Sequence, residues 1–279
     1  MNPTVKDTPR QAPLFSVITP TFNCAAQLQR TADSLTQQDN ILFEHILIDG
    51  LSTDETVDVI RSYADQATHA VRWVSEKDRG IYDAMNKGID MASGRFLLFL
   101  GAGDLLRPGI LQEIAPLLPQ NTLAFFYGNA LMEGGHVYGA PFDKSKIAKL
   151  NICHQAIFYG REVFHSIGKF ELQYRVLADH AFNIKCFGDE RIHKIYVDRI
   201  ISEYEADGFS AHNADNAFTR DRETLIKQYL GWKSLLVYRI FQWELYGPTP
   251  IRIVIHGSKE LFKILLRRPR GQRKLDGDQ

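Results

Sequence analysis

Cysteine is scarce in this chain of 279 residues. Cys24, Cys153 and Cys186 are odd in number, far apart, and form no Cys-x-x-Cys pair. That pattern excludes a disulfide framework and a cysteine-based zinc site, and a reducing cytoplasm is the simplest expected compartment. Net charge is also missing, since 33 basic residues balance 33 acidic ones, which argues against a general nucleic-acid binder. No apolar run approaches the roughly 20 residues that span a bilayer. The first 13 residues hold three prolines and no apolar signal core. Several nucleotide and nucleophile motifs are absent as well. There is no GxxxxGK[ST] loop and no GxSxG elbow, and Gly101-Ala102-Gly103 begins a GxGxxG pattern that Leu106 breaks.

What is present is enough for a sizeable core, with 44% hydrophobic and 24% charged residues. The neutral total hides an asymmetry. Residues 251–279 carry eight basic and three acidic side chains, a net of +5, so residues 1–250 carry −5.

Strand and helix signals alternate through the first half. Strands are expected at Leu14–Thr19, Phe43–Asp49, Val71–Ser75, Phe96–Leu100 and Leu123–Tyr127. Between them, apolar positions recur at helical spacing in Ala25–Gln37, in a helix opened by a Ser52-Thr53-Asp54-Glu55 capping box, and in Ile81–Ser93. A further helix is expected with Pro108 in its first turn. Such alternation predicts an α/β fold with a parallel sheet covered on both faces. Ligands of such sheets bind beyond the carboxyl ends of the strands. The residues found there are Pro20-Thr21-Phe22-Asn23, Asp49–Asp54, Glu76–Gly80 and Gly101–Asp104. All four loops are small and polar, and three carry carboxylates. Asp104 reads either as an oxygen ligand for a divalent cation on a phosphate, or as a cap for the following helix. Later, short strands (Ala156–Tyr159, Ile195–Val197) mix with a helix near Ala178–Cys186. Helices are expected at Phe218–Leu230, Leu235–Leu245 and Ile251–Arg267.

Together the loops resemble family 2 glycosyltransferases with a GT-A (Rossmann-like) fold, a mostly parallel sheet flanked by helices. The carrying segments are FSVITPTFN (Phe15–Asn23), LIDGLSTDET (Leu47–Thr56), SEKDRGIYDAMNKGIDMASG (Ser75–Gly94) and FLGAGD (Phe99–Asp104). The resemblance implies a catalytic domain over residues 14–212, preceded by a tail at 1–13 and followed by a helical, basic extension at 213–279. It is similar to bacterial enzymes that build exopolysaccharide, lipopolysaccharide or glycolipid sugars. The implied activity is inverting transfer from a nucleotide-sugar donor, a UDP-sugar by expectation, to a saccharide or lipid-linked acceptor.

The resemblance also implies residue roles. Pro20, Thr21, Asn23, Asp49, Ser52, Glu76, Asp78 and Gly80 would surround the nucleoside and sugar. Asp83, Asn86 and Lys87 would share one helix face supporting the donor. Asp104 would hold Mg²⁺ or Mn²⁺, with Gly103 standing where the family often has a first Asp. One carboxylate holds a metal weakly, so the cation is expected to arrive mainly with the nucleotide. Asp179, in Val176-Leu177-Ala178-Asp179-His180, would be the general base. His154, in a recurrent His-Gln pair, would line the pocket, and Gly208-Phe209-Ser210 resembles a Gly-x-Ser motif near the domain's end.

The basic segment 251–279 is compatible with peripheral docking on an anionic membrane, or with packing on this chain or a second copy. Two competing functions are a nucleotidyltransferase on a similar sheet and a non-catalytic relative that binds nucleotide sugars. The first lacks a Gly-rich basic loop after strand one. The second sits poorly with Asp49, Asp104 and Asp179 all being present.

Overall fold

The computed structural model describes residues 12–38, 41–204 and 214–246. The Gly208-Phe209-Ser210 motif and the basic segment 251–279 lie outside these described residues. The first half follows the expected order: β1 (Phe15–Thr21), α1 (Ala25–Thr36), β2 (Phe43–Asp49), α2 (Thr56–Gln66), β3 (Ala70–Ser75), α3 (Ile81–Met91) and β4 (Phe96–Phe99). β1 pairs in parallel with β2 and β4, and β2 in parallel with β3. Every residue of β1 and β2 is buried, because helices cover both faces of a parallel sheet.

The second half adds β5 (Leu105–Leu106), α4 (Ile110–Ile114), β6 (Ala124–Met132), β7 (Val137–Tyr138), α5 (Lys144–Lys149), β8 (Ile157–Gly160), α6 (Arg161–Ile167), α7 (Ala178–Gly188), β9 (His193–Tyr204), α8 (Asn216–Leu225) and α9 (Trp232–Tyr246). Strand order across the sheet is β3-β2-β1-β4-β8-β6-β9-β5, with β7 beside β6.

Side chains alternate between the two faces as strand geometry requires. Ile18, Leu97, Phe99, Phe125, Tyr127, Ile157 and Tyr159 point to one core, which also takes in Phe182 of α7, Phe218 of α8 and Tyr238 of α9. Val17, Leu98, Phe126 and Phe158 point to the other, closed by Ile110, Leu111 and Ile114 of α4. No helix among the described residues is long and apolar enough to cross a membrane.

Several elements differ from expectation. The sheet is mixed, because β8 runs antiparallel to both β4 and β6. Its four residues leave a 3₁₀ turn at His154–Ala156 and run straight into α6. The start of β8, rather than its end, therefore lies where the other strands finish. β9 is 12 residues long rather than three, since β6 and β5 pair with it on opposite sides. Pro108 stands outside its helix. Left-handed Gly109 (φ +67°) is the N-cap, and α4 begins at Ile110. Residues 218–230 are not one α-helix, for the last five form a π-turn that ends at Gly231 with φ +84°.

The capping box does not form either. Glu55 is the N-cap of α2 without a side-chain cap bond. Ser52 Oγ is drawn to Asp49 and to the Asn23 amide, while Asp54 accepts from the amides of Thr56 and Ala25. Tertiary partners outcompete the local motif, and Asp54 serves the starts of both α1 and α2.

Candidate active site

Three of the four loops are fastened by one carboxylate. Asp49 ends β2 and is fully buried. Its Oδ1 accepts from Thr21 Oγ1 at 3.3 Å and Ser52 Oγ at 2.5 Å. Its Oδ2 accepts from Ser75 Oγ at 2.6 Å and the Ser52 amide at 3.1 Å. Thus the ends of β1, β2 and β3 are tied through a single side chain, which organises the loops. Thr21 and Pro20 are buried in β1, and Ser52 is partly exposed.

Two residues beside this knot adopt positive φ although neither is glycine: Asn23 at +48° and Leu51 at +62°. Such backbones concentrate at functional sites. Asn23 is stabilised there because its Oδ1 accepts from the Thr53 amide at 2.8 Å. Leu51 has no such compensation. It exposes half of its side chain, and Phe22 is 63% exposed next to it. Between them Gly50 leaves no room for a side chain, since a Cβ would stand 2.5 Å from Asp78 Oδ2. Phe22 and Leu51 escaped the sequence reading because exposed apolar side chains in a loop have no sequence signature.

The third loop is braced to α3. Lys87 Nζ bonds the Lys77 carbonyl and pairs with Glu76 Oε1, each at 2.8 Å. Asp78 Oδ1 accepts from the Gly80 amide at 2.8 Å, where Gly80 has φ +116°. Asp83 accepts from the Arg79 amide and guanidinium. Burial raises the Asp83 pKa, but Arg79 outweighs it and holds the carboxyl below its ordinary range. Asn86 points elsewhere, exchanging two hydrogen bonds with the backbone of Phe170. The shared donor face expected of Asp83, Asn86 and Lys87 therefore divides, and Asn86 braces the segment that leads towards Asp179.

Asp104 is buried, and its Oδ2 accepts from Gln155 Nε2 at 3.0 Å and the Gly101 amide at 3.2 Å. It caps its own loop rather than α4. Gly101 permits this, because a Cβ there would lie 2.8 Å from Asp104 Oδ2. Gly103 has φ +104° and donates its amide to Thr31 Oγ1 at 2.9 Å. An acidic residue at position 103 would be forced into a backbone that side chains rarely adopt. Gly103→Asp is expected to cost about 1 kcal/mol or more of stability without tightening Mn²⁺ binding. Thermal melts and calorimetry in the absence of nucleotide check both parts.

The second carboxylate, Asp179, is buried at the start of α7. Its Oδ1 lies 2.9 Å from the Tyr82 hydroxyl and accepts from the His180 amide at 2.8 Å. Its Oδ2 accepts from Asn151 Nδ2 at 2.8 Å and faces His154 Nδ1 at 3.5 Å. Asn151 is itself oriented by Asn183, which is held by the Tyr159 hydroxyl. Burial pushes the Asp179 pKa up, but the His154 bond and charge, the Tyr82 hydroxyl and His180 together bring it below its ordinary value. Burial pushes His154 down, yet Asp179 and then Asp104 carry it above its ordinary value. Asp179 thus favours the protonated form of His154, and Asp104 adds to that effect. His180 does not share that role. Its Nε2 contacts the Ile147 carbonyl at 2.8 Å, and burial lowers its pKa to about 4.

Gln155 touches Asp104 and the adjacent His154 touches Asp179. One dipeptide, in the turn that leads into the reversed strand β8, therefore links the two carboxylates. Tyr82, Asn151, Asn183 and Ser75 were not anticipated. Tyr82 lies in a helical apolar pattern, and Asn carries no signal until its partner is known.

Among the described residues no group of three acidic, histidine or cysteine side chains forms a metal cage. A lone buried Asp104 fits only a hard cation that brings most of its oxygens along, as Mg²⁺ or Mn²⁺ does on a diphosphate.

Comparison with known proteins adds three findings. The profile of Glycosyl transferase family 2 matches residues 16–182. A PGL/p-HBAD biosynthesis glycosyltransferase of Mycobacterium bovis (strain BCG / Pasteur 1173P2) is 40% identical over 214 residues, covering 75% of this chain and 84% of the relative. Among solved structures, Staphylococcus aureus TarS 1-349 in complex with UDP-GlcNAc superposes with a TM-score of 0.60 at 18% identity, over 88% of this chain and 80% of that one. Mannosyltransferase PcManGT from Pyrobaculum calidifontis, in complex with GDP-Man and Mn²⁺, gives 0.59 at 18% identity, over 91% and 81%. At such identities the two structures speak for the GT-A fold alone.

Proposed function

The chain belongs to glycosyl transferase family 2, and from that premise we propose an inverting transferase. It moves a sugar from a nucleoside diphosphate, UDP by preference, to a saccharide or lipid-linked acceptor in glycolipid or cell-surface polysaccharide synthesis. The observation that carries this reading is the pairing of Asp104 and Asp179 at one sheet edge, bridged by His154-Gln155. The M. bovis relative, named for PGL/p-HBAD biosynthesis, supports the glycolipid side. The UDP-GlcNAc complex of TarS supports a nucleotide sugar.

In this reading the acceptor hydroxyl displaces the loosely held His154 from Asp179 Oδ2. Asp179 takes its proton as the acceptor oxygen bonds to the anomeric carbon. The bond from that carbon to the diphosphate breaks on the opposite face, and its electron pair leaves with the nucleotide. Asn151 and Tyr82 keep the carboxylate aimed throughout. Asp104 is the residue to hold a divalent cation, which when bound would offset charge on the departing diphosphate.

Phe22 and Leu51 supply the apolar surface for a planar base at the mouth of the Asp49 knot. Phe22→Ala should weaken UDP binding about tenfold, measured by calorimetry, with the melting temperature unchanged. The function itself is tested by a hydrolysis panel of UDP-, GDP- and dTDP-sugars with Mn²⁺. Release of free sugar from one of them is expected. Inertness towards all three, with no nucleotide bound, would overturn the reading.

A further inference from the structure

A cavity of about 210 Å³ opens beside the site, between the first turn of α3 and the segment that precedes α7. Its walls are of two kinds. Ile81, Leu172 and Tyr174 are apolar or aromatic, whereas Arg79, Asp83 and Arg175 are charged. Arg79 and Asp83 neutralise one another through a 3.1 Å contact. Arg175 is exposed, and among the described residues no carboxylate is paired with it. The cavity therefore has an excess of one guanidinium.

This arginine stands on a fixed base. The amides of the next two residues, Val176 and Leu177, both donate to Asp215 Oδ2, at 2.9 and 3.0 Å. The Tyr174 hydroxyl lies 3.3 Å from Asp221 Oδ2, so its ring forms a steady wall. The backbone that carries Arg175 is fixed, and the planar guanidinium fork suits a bidentate pair with a carboxylate or phosphate.

The cavity is too small for a whole ligand and suits one charged group with a ring or short chain attached. Tyr82 also lines it, and the Tyr82 hydroxyl lies 2.9 Å from Asp179 Oδ1. An occupant would sit one tyrosine ring away from the carboxylate that takes the acceptor's proton. Arg79 and Gly80 also belong to the third donor loop, so the cavity borders the donor site, while Leu172, Tyr174 and Arg175 come from the segment before α7.

We propose that this cavity is an acceptor subsite that recognises an anionic oxygen group, carboxylate or phosphate, through Arg175, with its apolar flank against Leu172 and Tyr174. The proposal rests on the transferase reading, because it assigns the occupant to the molecule that Asp179 deprotonates.

The test uses phenyl phosphate as probe, titrated by calorimetry into the full chain, alone and saturated with UDP. Saturable binding that UDP leaves intact is expected. Arg175→Gln should weaken it about tenfold, Arg175→Lys should recover part of it, and benzyl alcohol should bind no better to one protein than to another. Equal phenyl phosphate affinity in the native and Arg175→Gln proteins overturns the proposal. One-for-one competition with UDP also overturns it, since the anion then belongs to the donor site. UDP affinity, measured separately, judges the transferase reading. Unchanged melting temperatures exclude misfolding, which a substitution at this exposed side chain should not cause.

Discussion

Asp179→Asn is expected to lower sugar transfer about 10³-fold and to leave UDP affinity within about a factor of two. The amide keeps the shape of the carboxylate and can still meet Asn151 and Tyr82 after a flip, so the fold should survive. It cannot take a proton, so the acceptor hydroxyl stays a weak nucleophile. Steady-state kinetics together with UDP calorimetry measure both quantities. An active Asp179→Asn enzyme would remove this residue from the role of base.

His154 sharpens the same experiment. Burial alone would raise the Asp179 pKa, and the charge and bond of His154 reverse that. A carboxylate with a depressed pKa stays ionised to lower pH, and activity falls only as pH drops through that value. Removing His154 leaves burial less opposed. His154→Ala should therefore move the acid limb of the kcat/KM profile to higher pH, with the melting temperature measured alongside to exclude loss of structure. A profile that shifts down or does not move would count against His154 as the countercharge.

The second large effect concerns Asp49. Asp49→Ala takes away the acceptor for Thr21, Ser52 and Ser75 at once. Leaving the buried Thr21 and the half-buried Ser52 and Ser75 hydroxyls without this acceptor costs about 3 kcal/mol. For a protein of this size that corresponds to a fall of about 10 °C in melting temperature. The three loops would also part, so UDP binding should be lost. Asp49→Asn should recover much of the stability and less of the binding, since the amide nitrogen would face a hydroxyl where an oxygen is needed. Differential scanning calorimetry and UDP titration of the two variants separate the structural share from the binding share. Normal melting of Asp49→Ala would show that the knot is dispensable.

The first half of the fold was legible because β1, β2 and β4 are short apolar runs that end in Pro, Asp or Gly. Fully buried parallel strands announce themselves in that way. β9 was not legible beyond its middle, since much of its length is charged or half-exposed: His193, Lys194, Asp198 and Arg199 interrupt the pattern. The direction of β8 is not written in Ile157-Phe158-Tyr159-Gly160 at all. It depends on which strands flank it, a tertiary fact. The same limit applied to the site. Asp49, Asp104 and Asp179 stood out as carboxylates after apolar runs. Their jobs were set by partners far away in sequence, such as Ser75, Gln155 and Asn151. Ser52 shows the reverse case, where a good local motif lost to Asp49 and Asn23.

The place of β8 has a consequence for how the chain reaches its native state. Strands β1 to β4 are complete by Phe99 and can pair before the later strands are made. β8 must then enter between β4 and β6, and β6 must also receive β9 from much later in the chain. Until that happens the edge of β4 is open, with Phe96, Leu97 and Leu98 exposed to other chains. The arrival of β8 closes the edge and delivers His154 and Gln155 in the same event. The step that guards the young chain against aggregation is thus the step that joins its two carboxylates.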